Sequence, residues 1–462
     1  MKNLVIVESG AKATKITEYL DKNFPEQQWE VAACLGHIRD LPDDESAVNP
    51  ENWVDLSWEE TQKGKKTIRE LRKICKTINT VYLATDPDRE GEAIAWHLLS
   101  DFSEKKLLKD KEVKRITFNE ITSSAIKQAI NSPREIDQDL VDAYLARRIL
   151  DHLIGFKVSP LVWRHAPPAK SAGRVQSPSL RIICERENER DKHIKEEYWP
   201  ITSKFEFNDF IFDAELIKCN EEDLKKNPIS SEKDVREIES ELKSSEFFIK
   251  SIETKPQSSS PNPPFRTSTL QMTASSFLGF TADRTMRAAQ NLYEAGLITY
   301  LRTDGINIST SPNTGEPFSE ENPGPPPLQE IRNVIVEKFG DKFLSDQVRV
   351  YKSKVKNSQE AHEAIRPTNI KTYPENINLG QDEQKLYTLI WNRTLSSQMS
   401  NSQHERKKIV VCSKEDKFVF NASSRKTLFE GFETLSKKDS SEIIEFPENL
   451  KENENVSLAE FI

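Results

Sequence analysis

Thr80-Val-Tyr-Leu-Ala-Thr-Asp86-Pro-Asp88-Arg89-Glu90-Gly-Glu92 is the stretch on which the fold turns. A short apolar run meets an acidic turn, and Ala93 through Leu99 continue at helical spacing, so the order is strand, turn, helix. The N-terminus repeats it: Leu4-Val-Ile-Val-Glu8 is followed by Ser9-Gly10 and a helical pattern through Ile16 and Leu20, with Lys12 in the first turn. Strands alternating with helices over the first ~130 residues predict an α/β layer with a mainly parallel sheet. Such sheets gather functional groups at the carboxyl ends of their strands, where Glu8 and the acidic cluster both fall.

Asp86, Asp88 and Glu90 alternate around the turn. Closely spaced hard oxygen ligands suit Mg²⁺, which takes a few carboxylates and keeps several waters. The same residues also read as a solvated turn before a helix whose N-terminus favours acids. A second chemical stretch is Gly296-Leu-Ile-Thr-Tyr300-Leu-Arg302-Thr-Asp304. Its aliphatic and β-branched residues favour an extended strand in which Ile298, Tyr300 and Arg302 share a face. A phenol beside a guanidinium suits attack on a phosphodiester, and an outward Tyr on a plain strand is the bland alternative.

At 462 residues the chain exceeds one core, and about three domains are expected from length. Its five cysteines are far apart, without Cys-x-x-Cys, so neither a disulfide framework nor a zinc ribbon is indicated, and a reducing cytosol fits. No apolar run approaches a membrane span, and the start lacks the cleavage site of a signal peptide, so a soluble, unexported protein is expected. The net charge of −9 argues mildly against nucleic acid. However, His152 to Cys184 contains no acid and holds Lys157, Arg164, Lys170, Arg174 and Arg181, so a local basic stripe is possible on an acidic protein.

Residues 138–196 read as mainly helical around the loop Trp163-Arg-His-Ala-Pro-Pro-Ala-Lys170-Ser171-Ala172-Gly173-Arg174-Val175-Gln176-Ser177. Its small residues, long donors and indole suit a single strand of nucleic acid, or a plain interdomain connection. Trp199 to Ile252 is strand-like, and the texture resumes from Lys407, which suggests one β domain interrupted by the Tyr300 domain. Between them, Thr254 to Pro264 reads as a linker or hinge. Ser268-x-x-Gln271 opens a helix, and Ala282 to Ala295 forms another that stops at Gly296. Pro312 to Pro327 reads as a surface insertion. No G-x-x-x-x-G-K-[S/T] loop exists, so ATP is not implied.

Taken in order, Leu4-Val-Ile-Val-Glu8-Ser, Gly36-His37-Ile-Arg-Asp-Leu-Pro, Asp86 to Glu92, Ser171 to Gln176, Pro264-Phe-Arg-Thr-Ser-Thr-Leu-Gln271, Tyr300-Leu-Arg-Thr-Asp304 and His362-Glu-Ala-Ile-Arg366-Pro-Thr resemble the type IA DNA topoisomerases, in the topoisomerase I branch. The resemblance runs from residue 1 to about 400. It implies a multidomain α/β plus α and β fold in a toroid around a hole for DNA. The implied parts are a Rossmann-like Toprim domain (1–137), a helical DNA-binding domain (138–196), a β-rich arch (197–260 and 390–462) and a catalytic-tyrosine domain (261–389).

The resemblance also implies roles. Tyr300 matches the nucleophile that forms a 5′-phosphotyrosyl link, and Arg302 the residue that positions the scissile phosphate. Glu8 and Lys12 match residues credited with proton transfer to the leaving 3′ oxygen. Glu8, Asp86, Asp88 and Glu90 match the Mg²⁺ cluster, with Arg89 beside it. His37, Arg147, Arg148, Asp151, His152, Phe156, Trp163, Ser171, Ala172, Gly173, Arg174, Val175, Gln176, His362 and Arg366 lie in motifs used along single-stranded DNA. The implied enzyme relaxes negatively supercoiled DNA without ATP, as a cytoplasmic, nucleoid-associated bacterial protein, here expected to be a monomer without zinc or membrane contact.

Several positions depart from the family's pattern. Gly10 and Gly305 replace the usual Pro and Ser, and His152 and Phe156 stand where Arg and Tyr are usual. The chain ends at Ala459-Glu-Phe-Ile462, where the family would return to its helical domain, so weak grip on DNA is expected. A single-stranded-DNA-binding fragment with impaired turnover and a Toprim-type metal-dependent nuclease are the competing functions.

Overall fold

Strand β1 (Lys2–Val7) is buried from Asn3 onward, as an apolar run at the centre of a covered parallel sheet must be. The computed structural model describes residues 2–49, 51, 56–309, 327–352, 363–436 and 445–461. The chain divides into two units. One comprises residues 1–187, 263–338 and 349–397, the other residues 188–262, 339–348 and 398–462.

In the first unit, α1 (Gly10–Asn23) leads to β2 (Gln28–Ala33), then β3 (Arg39–Asp40), β4 (Glu59–Glu60), α2 (Gly64–Cys75), β5 (Thr80–Leu83), α3 (Arg89–Glu104), β6 (Glu112–Arg115) and α4 (Ser123–Asn131). The main sheet has the order β2-β1-β5-β6, parallel throughout, as the strand and helix alternation predicts. β1 therefore lies beside β5, which brings the carboxyl ends carrying Glu8 and Asp86 together. Leu4, Ile6, Val81, Leu83, Ile68, Leu71, Ile94 and Leu98 build the core between this sheet and its helices.

Two caps aim the functional turns. Ser9 caps α1, accepting from the Lys12 amide at 3.4 Å, and Asp88 caps α3, accepting from the Gly91 amide at 2.8 Å. Gly91 is required by space: a Cβ there would lie 2.2 Å from the Asp86 carbonyl oxygen.

The chain continues as α5 (Gln138–Leu153), a π-helical turn (Ile154–Val158), α6 (Ser159–His165) and α7 (Gln176–Lys192). No side chain of α7 is buried.

The second unit is built on a seven-stranded sheet against which a helix packs. Its elements are β7 (Thr202–Phe207), β8 (Phe210–Cys219), β9 (Glu222–Asp223), α8 (Glu232–Ser244), β10 (Phe247–Ser259), β11 (Ser402–Ser413), β12 (Phe418–Phe429) and β13 (Asn455–Phe461), in the sheet order β12-β11-β10-β13-β7-β8-β9, with β12 also paired to β8. The two strand-rich stretches of sequence thus join in one sheet. Phe205 anchors its core, with ring centroids 5.0 Å from Phe420 and 5.2 Å from Phe247. The expected linker from Thr254 to Pro264 is instead strand as far as Ser259, in register with β11 from Phe247↔Ser413 to Ser259↔Ser402. Pro256 is accommodated because, among the described residues, β10 pairs with β13 only at Phe247 and Phe248, leaving its later part on an edge that needs no second row of donors.

Back in the first unit, α9 (Thr267–Leu278), α10 (Ala282–Glu294), α11 (Pro327–Phe339) and α12 (Gln381–Ser396) follow. The last segment of the second unit begins at Gln398, after α12. The Pro312 to Pro327 insertion lies outside the described residues apart from Pro327, which starts α11.

Candidate active site

The segment bearing Tyr300 is not the strand its composition predicts. Only an isolated bridge, Ile298↔Pro367, is present, and the backbone is laced to other segments instead. Gly296, at φ +72°, ends α10 so tightly that a Cβ would meet the Ile121 carbonyl oxygen at 2.5 Å. Beyond it, the Thr299 amide donates to the Arg366 carbonyl at 2.9 Å and the Tyr300 amide to the Asn119 carbonyl at 2.7 Å. Thr267 Oγ1 donates to the Leu301 carbonyl at 2.6 Å. Tertiary hydrogen bonds replace a sheet partner and fix Tyr300 and Arg302 toward the acidic turn.

There the two side chains converge. Tyr300 Oη donates to Asp88 Oδ2 at 2.6 Å, and Arg302 Nη1 to Glu90 Oε2 at 2.6 Å, with Asp88 at 3.8 Å. Lys12 Nζ pairs with Asp86 Oδ1 at 2.6 Å and stands 4.0 Å from Glu8 Oε2. Glu8 Oε1 accepts from the Asp86 amide at 3.1 Å. Burial, with Asp86 adding to it, pushes the Glu8 carboxyl up to about 8. Burial and the Asp86 and Asp88 carboxylates push the Tyr300 phenol far above its usual range. Glu8, His37, Asp86, Asp88, Glu90, Tyr300 and Arg302 line a cavity of about 360 Å³. Asp88, Glu90 and Arg302 also border a second cavity of about 650 Å³ that holds Arg89, Arg147 and Arg266.

Among the described residues, no three of His, Cys, Asp and Glu converge as a ready metal cage. Of the four carboxylates expected to bind Mg²⁺, Asp86 is held by Lys12, Asp88 by Tyr300 and Glu90 by Arg302. The donor chemistry still fits a hard cation. Four carboxylates, Glu8, Asp86, Asp88 and Glu90, share one cavity.

Comparison with known proteins shows the family. A profile for the Toprim domain matches residues 3–121, and one described as DNA topoisomerase matches residues 135–461. The chain belongs to the DNA topoisomerase family. It is similar to DNA topoisomerase 1 of Rickettsia bellii, 43% identical over 99% of this chain and 57% of that protein. It is also similar to DNA topoisomerase 1 of Zymomonas mobilis, 41% identical over 94% of this chain and 34% of that one. The solved full-length topoisomerase I of Thermotoga maritima matches with a TM-score of 0.79 at 34% identity, covering 99% of this chain and 71% of that one. The chain therefore spans a little over half of its Rickettsia relative and about a third of the Zymomonas one.

Within this topoisomerase fold, the other expected residues divide. His37 stacks on Tyr144 with centroids 5.2 Å apart and lines the smaller cavity. Arg147 and the exposed Arg89 line the larger one. Arg148 donates to Asp40 at 2.7 Å, and Arg174 to Asp151 at 2.8 and 3.1 Å. Trp163 and Val175 are exposed. The loop is closed by its own small residues: the Ala172 amide donates to Ser159 Oγ, the Gly173 amide to Ser177 Oγ, and Gln176 Nε2 to Ser171 Oγ.

Two of the residues expected along DNA are buried. His152 is buried beside Phe156, with centroids 4.5 Å apart, because it faces inward from α5. Arg366 is 1% exposed, with its guanidinium held by Glu363 at 2.6 and 3.0 Å and by Glu120 at 3.1 Å, so it is a structural cation. His362 lies outside the described residues.

Sequence reasoning missed Arg115. This buried cation donates to the Leu83, Thr85, Asp86 and Ile116 carbonyls and to Glu92, which Arg134 also holds. It clamps the acidic turn from beneath, and its position at the carboxyl end of a strand was the available signal. Tyr293 was missed because an aromatic on an amphipathic helix reads as core.

Proposed function

We propose that this chain carries the strand-cleaving and resealing centre of a type IA topoisomerase. It would relax negatively supercoiled DNA without ATP, through transient single-strand cleavage, a 5′-phosphotyrosyl intermediate, strand passage and religation. The observation that carries this reading is the convergence of Tyr300 and Arg302 on Asp88 and Glu90.

Tyr300 Oη attacks phosphorus as its proton passes to Asp88 Oδ2, the atom it already bonds. Concerted loss is required because a phenol held so far above its usual range does not ionise in advance. A P–O bond to Tyr300 forms while the bond to the 3′ oxygen breaks, and Glu8, protonated at neutral pH, is placed to return a proton to that oxygen. Arg302 and Lys12 neutralise charge on the phosphoryl oxygens. The number of phosphoester bonds is unchanged, so religation reverses the steps and ATP has no part. Asp86, Asp88 and Glu90, with Glu8 behind them, would hold Mg²⁺, which supplies charge neutralisation at phosphate when bound. The loop from Trp163 to Ser177, with Arg147, Arg148, Arg174 and Arg89, would follow the single strand.

The four-domain division, a monomeric state and a cytoplasmic, nucleoid-associated location complete the proposal. No helix among the described residues is long and apolar enough to cross a membrane. The test uses a 3′-labelled single-stranded oligonucleotide, incubated with the chain and then denatured. Label should travel with the protein and vanish from it in Tyr300→Phe. An adduct that survives in Tyr300→Phe, or none with the native chain, overturns the proposal.

A further inference from the structure

Tyr293 lies directly behind the proposed nucleophile, and the reaction above gives it no role. It sits on α10 and is fully buried. Its ring meets that of Tyr300 edge to face, with centroids 5.3 Å apart and planes at 68°. Lys12 Nζ stands 5.1 Å from the same ring, on the favourable side of its quadrupole, while pairing with Asp86. The charged and titratable groups around it are therefore Lys12, Glu8, Asp86, Asp88 and Tyr300. Its hydroxyl makes no hydrogen bond of standard geometry, although the Asp86 carboxylate is its neighbour.

A buried hydroxyl that meets its neighbour Asp86 only outside standard hydrogen-bond geometry is costly, and phenylalanine would fill the same space without that cost. The hydroxyl makes sense if Asp86 needs a second donor at some point in the cycle. Lys12 now occupies Asp86. When Lys12 turns toward a phosphate, Asp86 loses the cation paired with it, and the adjacent phenol is the donor on hand to take that place before a metal ion is bound.

We propose that Tyr293 is a positioning residue for strand cleavage: its ring fixes the approach of Tyr300 and seats Lys12, and its hydroxyl takes over Asp86 when Lys12 is drawn to DNA. This rests on the function proposed above. No covalent step involves Tyr293, and no proton leaves it.

The test compares Tyr293→Phe, which removes only the hydroxyl, with Tyr293→Leu, which removes the ring. With saturating single-stranded oligonucleotide, the single-turnover rate of adduct formation should fall on the order of 10²-fold in Tyr293→Leu. In Tyr293→Phe it should fall about tenfold, the scale of a lost hydrogen bond to a charged group. Oligonucleotide affinity should stay within about twofold in both, because neither group touches DNA in the proposal.

A second readout needs no activity. With 3-fluorotyrosine at position 300, the fluorine resonance should be a single sharp line in the native chain and in Tyr293→Phe, and should broaden or split in Tyr293→Leu. Undiminished cleavage in both variants, an unchanged fluorine line in Tyr293→Leu, or a loss of rate matched by equal loss of affinity would overturn the inference. A native chain that forms no adduct would instead overturn the proposed function, leaving the fluorine line to decide for Tyr293.

Discussion

Tyr300 Oη and Asp88 Oδ2 lie 2.6 Å apart, so the proposed nucleophile rests on a carboxylate that also caps helix α3. One residue thus has two duties that substitution can separate. Asparagine caps helices as well as aspartate but is a far weaker proton acceptor. Asp88→Asn should keep its melting temperature within about 2 °C, while single-turnover cleavage falls by about 10². Thermal denaturation beside quenched-flow cleavage checks both, and unimpaired cleavage would remove Asp88 as proton acceptor.

The Arg366 pairing with Glu120 and Glu363 is closed to solvent. Replacing Arg366 with Met leaves two buried carboxylates facing each other and should cost about 3–5 kcal/mol in denaturant unfolding. Converting both acids to Gln in the same chain should recover a large part of the loss. If Arg366→Met unfolds like the native chain and loses only DNA affinity, the structural assignment is wrong.

Glycines at two helix starts should respond in opposite ways. A methyl at Gly91 meets the Asp86 carbonyl oxygen at 2.2 Å, whereas nothing lies within 4 Å of one at Gly10. Gly91→Ala should lower stability by more than about 2 kcal/mol and displace the acidic turn. Gly10→Ala should be neutral or stabilising by about 0.5 kcal/mol, since the position is helical. Equal effects on unfolding would refute the steric account.

His97 provides the pH dependence. It is fully buried among Trp58 and Trp96, its ring nitrogens lack partners, and burial pushes its imidazole down to about 3. The folded protein therefore keeps His97 neutral where the unfolded chain, near 6.5, takes up a proton. The stability this contributes is present above pH 6.5 and is lost as pH falls from there toward 3, by up to about 1.4 kcal/mol per unit. His97→Phe should flatten the slope of unfolding free energy between pH 6.5 and 5, and an unchanged slope would show that another group titrates.

Much of this was legible in the chain. β1 and β5 read correctly because buried parallel strands are continuous apolar runs, and their shared carboxyl end brought Glu8 to Asp86. Tyr300 and Arg302 stand out in the sequence, but no strand directs them: hydrogen bonds to Asn119 and Arg366, remote in sequence, orient the segment, and no local pattern encodes those. The same limit hid Arg366 and His152. A cation and an imidazole beside DNA-binding motifs look exposed until partners such as Glu120, at a separation of 246 residues, fold around them. Pro256 and its serines suggested a linker because composition cannot show that a strand has a free edge.

The Tyr300 amide bonds the Asn119 carbonyl, and the next residue, Glu120, holds Arg366 from the other side of the same segment. Two neighbouring residues thus bolt the reactive segment to the chain that follows the parallel sheet. In the proposed reaction, any motion that carries the Tyr300 segment away from the acidic turn must break the Asn119 bond and work against the Glu120–Arg366 pair that lies one residue on. Pulling on such a protein should produce an abrupt click at a threshold load, with little give beforehand.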